Sequence, residues 1–172
     1  MRLSNDQKVL SHGGAGGIGS IAIQLAKHHG AHVATTVSAN DIQFVKEDLG
    51  ADEVIGYKTH TFEDVLSHDY DAVFDTVGGE KYTRSFKVLK GGGIIVSMLE
   101  QPVQELMDQF GVKAIYQFTK VSVERLTRLA EWIDQNNIRV HVERTFPLDD
   151  ARAALDYQRD VHPRGKIVLA IR

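Results

Sequence analysis

Val9-Leu10-Ser11-His12-Gly13-Gly14-Ala15-Gly16-Gly17-Ile18-Gly19 runs without a break into Ser20-Ile21-Ala22-Ile23-Gln24-Leu25-Ala26-Lys27-His28-His29-Gly30. Short apolar residues lead into a glycine cluster, and a helical pattern follows that ends at glycine, which reads as strand, tight turn, helix. Gly14, Gly16 and Gly19, with Ala15, Gly17 and Ile18 between them, satisfy the G-x-G-x-x-G spacing. That spacing keeps side chains out of a place where backbone amides approach a pyrophosphate. The free N–H groups and partial positive charge at the start of the helix then hold a diphosphate without a basic side chain. A glycine turn alone is a weak signal, since one that only packs a strand against a helix looks the same; the flanking strand and helix supply the context the motif requires.

A chain of 172 residues, 42% of them hydrophobic, can build one sizeable core but not two full domains. Lys and Arg number 20 against 23 Asp and Glu, a formal charge of -3. With no basic block or interleaved aromatics, nucleic acid and anionic membranes are poor partners. The absence of cysteine excludes disulfides, thiolate zinc sites and thiol nucleophiles together. No apolar run reaches the length of a membrane span, and the first residues lack the apolar centre of a signal peptide. The expectation is a soluble cytoplasmic protein.

Downstream, residues 31–37 form a β-branched second strand ending at Ser38. In NAD-binding domains an Asp or Glu roughly 20 residues past the glycines takes the adenosine ribose hydroxyls and repels a 2′-phosphate. The neutral hydroxyl of Ser38 can instead donate to a phosphate, which favours NADP(H) over NAD(H). Ser38 also fits a helix cap, with Asp41 three residues on as in a capping box. Residues 42–49 continue as a helix closed by Gly50, and 52–57 as a third strand. A short helix (62–66), a fourth strand ending in Gly78 and Gly79, a helix (80–90), a glycine turn (91–93) and a fifth strand (94–99) follow. A helix over 102–110, a sixth strand over 112–119 and an amphipathic helix over 123–136 complete the series, with Leu126, Leu129, Ala130 and Ile133 on one face of the last.

Apolar runs separated by helices predict an α/β fold, a Rossmann doubly wound parallel sheet of six strands with helices on both faces. The tail adds a strand over 138–146 stopped by Pro147, a helix capped by Asp149 or Asp150 and reaching Tyr157, and a last strand over 166–171. Ligands of such sheets lie over the carboxyl ends of the strands, where Gly14, Ser38, Thr76 and Ser97 all fall.

Four stretches carry a resemblance: residues 9–19, Leu-Gly-Ala-Asp at 49–52, Phe-Asp-Thr-Val-Gly-Gly at 74–79 and Arg-Gly-Lys-Ile-Val-Leu at 164–169. Together they resemble the medium-chain dehydrogenase/reductase superfamily, in its zinc-free quinone oxidoreductase branch. The resemblance implies a GroES-like substrate domain and a Rossmann cofactor domain, of which only the second is expected here. Residues 1–137 would bind NADP(H); the tail at 138–172, which in the family packs on the GroES-like domain, would leave an apolar face that is exposed or covered by a second copy of the chain, with a separate GroES-like domain as a further partner. It further implies that Gly16, Gly17 and Ile18 line the pyrophosphate and that Ser38 and Tyr57 approach the 2′-phosphate. Thr76, Val77 and Gly78 would line the path to the nicotinamide, with Ser97, Met98 and Phe118 flanking its end. Tyr57 also fits a cover over the sheet edge, Gly78 a turn and Phe118 a core position. Where many NADP-binding members carry Lys or Arg shortly after the serine, this sequence has Asn40 and Asp41. Members pair through the sixth strand, so a homodimer is expected, with a quinone, enone or carbonyl as the small-molecule acceptor of hydride.

Other chemistries fit less well. Tyr116 and Lys120 match the Tyr-x-x-x-Lys spacing of short-chain dehydrogenases. That chemistry needs both on adjacent turns of one helix, and the β-branched and aromatic surroundings predict a strand, with the side chains on the order of 13 Å apart. Of the eight histidines, His28 and His29 are adjacent and point to different helix faces, and the others lack partners at metal-ligand spacing. No catalytic residue and no metal ligand is assigned. The alternative to an enzyme is an NADP(H)-sensing module or an inactive fragment, since the cofactor supplies the hydride chemistry and the substrate domain half of the positioning.

Overall fold

Neighbouring apolar residues along the strands divide between two cores, as strand periodicity requires. Val9, Val33 and Ala72 pack on one face with Ile23 and Ala26 of the first helix and with Phe44, Val45 and Leu49. Leu10, Ala34, Val73 and Ile95 pack on the other with Phe62, Tyr82 and Phe86. The computed structural model describes residues 3–135 and 138–171. In it, β1 (Lys8–His12), β2 (His32–Val37), β3 (Glu53–Gly56), β4 (Tyr70–Asp75), β5 (Leu89–Ser97) and β6 (Lys113–Tyr116) form one sheet ordered β3-β2-β1-β4-β5-β6. All its pairs are parallel. Helices α1 (Gly19–His28), α2 (Phe62–Val65), α3 (Glu80–Ser85) and α4 (Gln104–Phe110) connect the strands, which makes this a Rossmann fold.

Three segments depart from the sequence reading. The helix expected over 42–49 is present over 42–48 but is wound wide, as a π-helix, over Phe44–Asp48, and a tight turn at Ala39–Asp41 leads into it. The helix expected over 80–90 ends at Ser85, and a tight turn over Phe86–Val88 leads straight into β5. Strand β5 therefore begins before the glycines. Tyr70 pairs with Leu89 but Ala72 with Ile94, so the intervening residues bulge, and Gly92 takes a positive φ of 81° there. Tyr116 closes β6, and no helix joins it to Lys120, which removes the short-chain geometry.

Beyond the sheet, α5 (Val123–Gln135) keeps its apolar stripe largely open, with only Trp132 and Ile133 half-buried. Asn136, its expected last residue, and the expected domain boundary at residue 137 lie outside the described residues. The tail forms a second, two-stranded parallel sheet of β7 (Val142–Pro147) and β8 (Lys166–Ala170), joined by α6 (Ala151–Val161). Among the described residues no helix is long and apolar enough to cross a membrane.

Candidate functional site

Strand β1 lies between β2 and β4, so the connections leave it in opposite directions and open a crevice at its carboxyl end. A cleft of about 1380 Å³ occupies that place. One wall is the turn between β1 and α1. Gly13, at φ 70°, and Gly14 both donate their amides to the Thr36 carbonyl, and the Gly16 amide folds back onto the Gly13 carbonyl at 3.0 Å. A Cβ at Gly14 would overlap Thr35 and Ile23, and one at Gly19 would overlap the Gly13 carbonyl. The outer glycines of the motif thus let the turn pack on β2 and α1, and Gly16 is the one with open space beside it.

Helix α1 starts with no side-chain cap and no acidic residue in its first turn. Ile18, facing the cleft, donates its amide to no backbone acceptor among the described residues, while Gly17 faces the Gly165 carbonyl across the bridge from the tail. An uncompensated positive helix end with such a donor is a site for a phosphate group. The residues present therefore fit a dinucleotide pyrophosphate.

Of the residues expected from the sequence, Ala15, Gly16, Gly17, Ile18, Ser38, Tyr57, Thr76 and Val77 all line this cleft. Thr76 is oriented by its hydroxyl, which donates to the His12 carbonyl at 2.9 Å. Tyr57 projects from the end of β3, with the Lys81 ammonium 5.3 Å from its ring centroid. The other five lie off the cleft. Gly14 is buried by its packing role, and Phe118 stands in solvent past the end of β6. Gly78 serves a turn at φ 74°, where its amide, like that of Val77, donates to Asp75 Oδ1. Ser97 is fully buried: its hydroxyl donates to Asp75 Oδ2 at 2.7 Å and accepts the Leu99 and Glu100 amides. Met98 is tied by its amide to the Asp75 carbonyl. Ser97 and Asp75 hold the wall from inside and do not present themselves on it.

Beneath the turn, His12 is fully buried, with Nδ1 2.9 Å from the Thr36 hydroxyl and Nε2 2.8 Å from that of Ser85. Ser85 spends its proton on the Lys81 carbonyl, so it accepts from Nε2–H and leaves Nδ1 to accept from Thr36. Burial lowers the His12 pKa to about 4, against the opposing pull of the buried Asp75 carboxylate.

The sequence reading missed the opposite wall, which is the tail. Gly165 donates its amide to the Ala15 carbonyl at 2.8 Å and bridges to Gly16, so the start of β8 crosses directly over the glycine turn. Arg164, Lys166 and Lys81 bring cationic groups into the cleft. The Lys166 ammonium lies over Gly17, where a Cβ would meet it at 2.8 Å. The Arg-Gly-Lys run was legible, but no local periodicity ties it to a turn so far back in the chain.

A doubly wound sheet with an uncapped glycine turn at its switch point defines a dinucleotide-binding class of domain. The chain belongs to the zinc-binding dehydrogenase family, whose model matches residues 49–169. Among the described residues no group of three His, Asp or Glu side chains is gathered to hold a metal ion. The NADPH-dependent alkenal/one oxidoreductase of Arabidopsis thaliana chloroplasts is 34% identical over 170 residues, covering 96% of this chain and 41% of that protein. The quinone oxidoreductase of Coxiella burnetii superposes with a TM-score of 0.89 at 34% identity, covering 98% of this chain and 54% of that one. The Escherichia coli quinone oxidoreductase complexed with NADPH does so at 0.82 and 26% identity, covering 98% and 58%. The chain spans about half the length of the curated relatives it matches.

Proposed function

We propose that this chain is the NADP(H)-binding part of an oxidoreductase that moves hydride between nicotinamide and a quinone, enone or other carbonyl acceptor. The observation that carries the reading is the uncapped start of α1 behind the glycine turn, with a neutral residue, Ser38, directly after β2. The names of the similar proteins support it, since the plant relative is NADPH-dependent and the Escherichia coli enzyme was solved with NADPH. When bound, the nicotinamide supplies the hydride, and this chain's residues bind and orient. Gly16, Gly17 and Ile18 line the diphosphate, Gly16 with open space beside it and Ile18 with an amide that has no backbone acceptor among the described residues. Lys166 and Lys81 add positive charge, Ser38 and Tyr57 hold the adenosine end, and Thr76 and Val77 border the way to the reacting ring. Residues 1–137 form the cofactor unit. The tail, residues 138–172, closes the cleft on one side and leaves apolar residues outward for a GroES-like domain that brings the acceptor. The chain pairs as a homodimer through β6.

Fluorescence titration of the chain with NADPH and, in parallel, NADH tests the reading. Micromolar NADPH binding, with NADH weaker, is expected. Binding of neither dinucleotide overturns it.

A further inference from the structure

At the adenosine end of the cleft an acid, a base and a hydroxyl are tied together. Asp41 accepts the Ser38 hydroxyl on one oxygen at 2.5 Å and Arg164 Nε on the other at 2.6 Å. A second guanidinium nitrogen donates to the Asn40 carbonyl at 2.5 Å, and the group lies 5.5 Å from the Phe44 ring centroid. All of Ser38, Asn40, Asp41 and Arg164 line the cleft. In this arrangement the serine proton is spent on Asp41, so Ser38 cannot serve a phosphate until Asp41 gives it up. The carboxylate itself is an acceptor for a ribose hydroxyl and repels a phosphate. Arg164 can move: its side chain is 38% exposed, against 16% for Asp41, and two of its five N–H donors are engaged among the described residues. Its backbone cannot, because the Arg164 amide is held by Glu143 and the next two amides by the Ala15 and His141 carbonyls.

We propose that Asp41 and Arg164 form a charge-exchange latch that sets cofactor choice. The proposal rests on reading the cleft as a dinucleotide site. Without a 2′-phosphate, Arg164 neutralises Asp41, and Asp41 can accept a ribose 2′-hydroxyl, so NADH is admitted. A 2′-phosphate carries more charge than one carboxylate and offers three acceptor oxygens to the guanidinium fork and the Ser38 hydroxyl. Both donors then turn from Asp41 to the phosphate. The preference for NADP(H) thus resides in an arginine from the tail, 123 positions beyond the acid it releases.

The test titrates the parent chain, Arg164→Met and Asp41→Asn with NADPH and NADH, and competes each with 2′,5′-ADP and with 5′-ADP at fixed salt. Arg164→Met is expected to weaken NADPH and 2′,5′-ADP about tenfold while NADH and 5′-ADP stay within about twofold. Asp41→Asn, which keeps the arginine, is expected to tighten NADPH severalfold and weaken NADH, and it carries the test if Arg164→Met fails to fold. An unchanged NADPH-to-NADH ratio in both variants overturns the latch while leaving the cofactor reading intact. So does an equal loss for all four ligands in Arg164→Met, which would make the arginine a support for the tail alone. A parent that binds neither dinucleotide overturns the cofactor reading itself, and the latch with it.

Discussion

His12 shows how a single residue in the glycine stretch acts on the fold more than on the ligand. Its ring fills the space under the turn against the edge of Phe62, 4.8 Å away between centroids, and both nitrogens are hydrogen-bonded in the neutral ring protonated on Nε2. Because burial holds its pKa at about 4 in the folded chain against 6.5 when unfolded, the unfolded state binds the extra proton first as pH falls. The stability His12 contributes is therefore complete above pH 6.5 and is lost between there and about pH 4. Urea unfolding at pH 7.5 and pH 5 should show the parent losing about 2 kcal/mol more than a His12→Gln variant over that interval. Equal losses in the two proteins would mean that the histidine takes up its proton within the fold.

At the scale of elements the contact that shapes the cleft is the crossing of β8 over the glycine turn. It depends on Gly165, whose φ of 58° and missing Cβ let it pass against the His141 carbonyl. Gly165→Ala should lift the tail from the turn at a local cost of about 1–3 kcal/mol. Hydrogen exchange at the Gly165 and Lys166 amides should then quicken while strands β1 and β4 keep their protection, and NADPH binding should weaken. Unchanged exchange at those two amides would show that the crossing tolerates a side chain. The same crossing explains what the sequence revealed and what it hid. Strands β1 to β6, α1 and the βαβ form of the tail were legible because each is a local pattern of apolar period, glycine and proline. Ser38 and Thr76 were legible because carboxyl strand ends converge in this topology, whereas Tyr57 and Val77 entered only through the family resemblance. Arg164 and Lys166 were not placed in the site, since their contacts with Asp41, Asn40 and Gly17 close between distant segments. Ser97 misled because a serine at a strand end reads the same whether it faces a cleft or, as here, caps a buried aspartate.

For the whole molecule the question is what covers its apolar surface. Leu126 on α5 is 54% exposed, Ile171 in the tail 76%, and Ile115 and Phe118 at and beyond β6 are 43% and 66%. Surfaces of this kind favour association, and the tail and the β6 edge differ in what they ask for. The tail presents side chains, which suits a separate domain. Strand β6 is the outer strand of the main sheet and, among the described residues, has no strand paired to the side away from β5, which suits a second copy of itself. A two-fold axis there would set each Ile115 close to its mate, so a charge introduced on one copy is met by the same charge on the other. Sedimentation of the parent should accordingly give twice the 19.1 kDa mass of one chain, and Ile115→Lys should sediment as the monomer. The cleft opens beside β1, with β4 and β5 between it and β6, so NADPH affinity should survive the substitution within about twofold. A parent that sediments as a monomer, or a lysine variant that stays paired, would move the interface elsewhere, and the open stripe of α5 would be the next surface to charge.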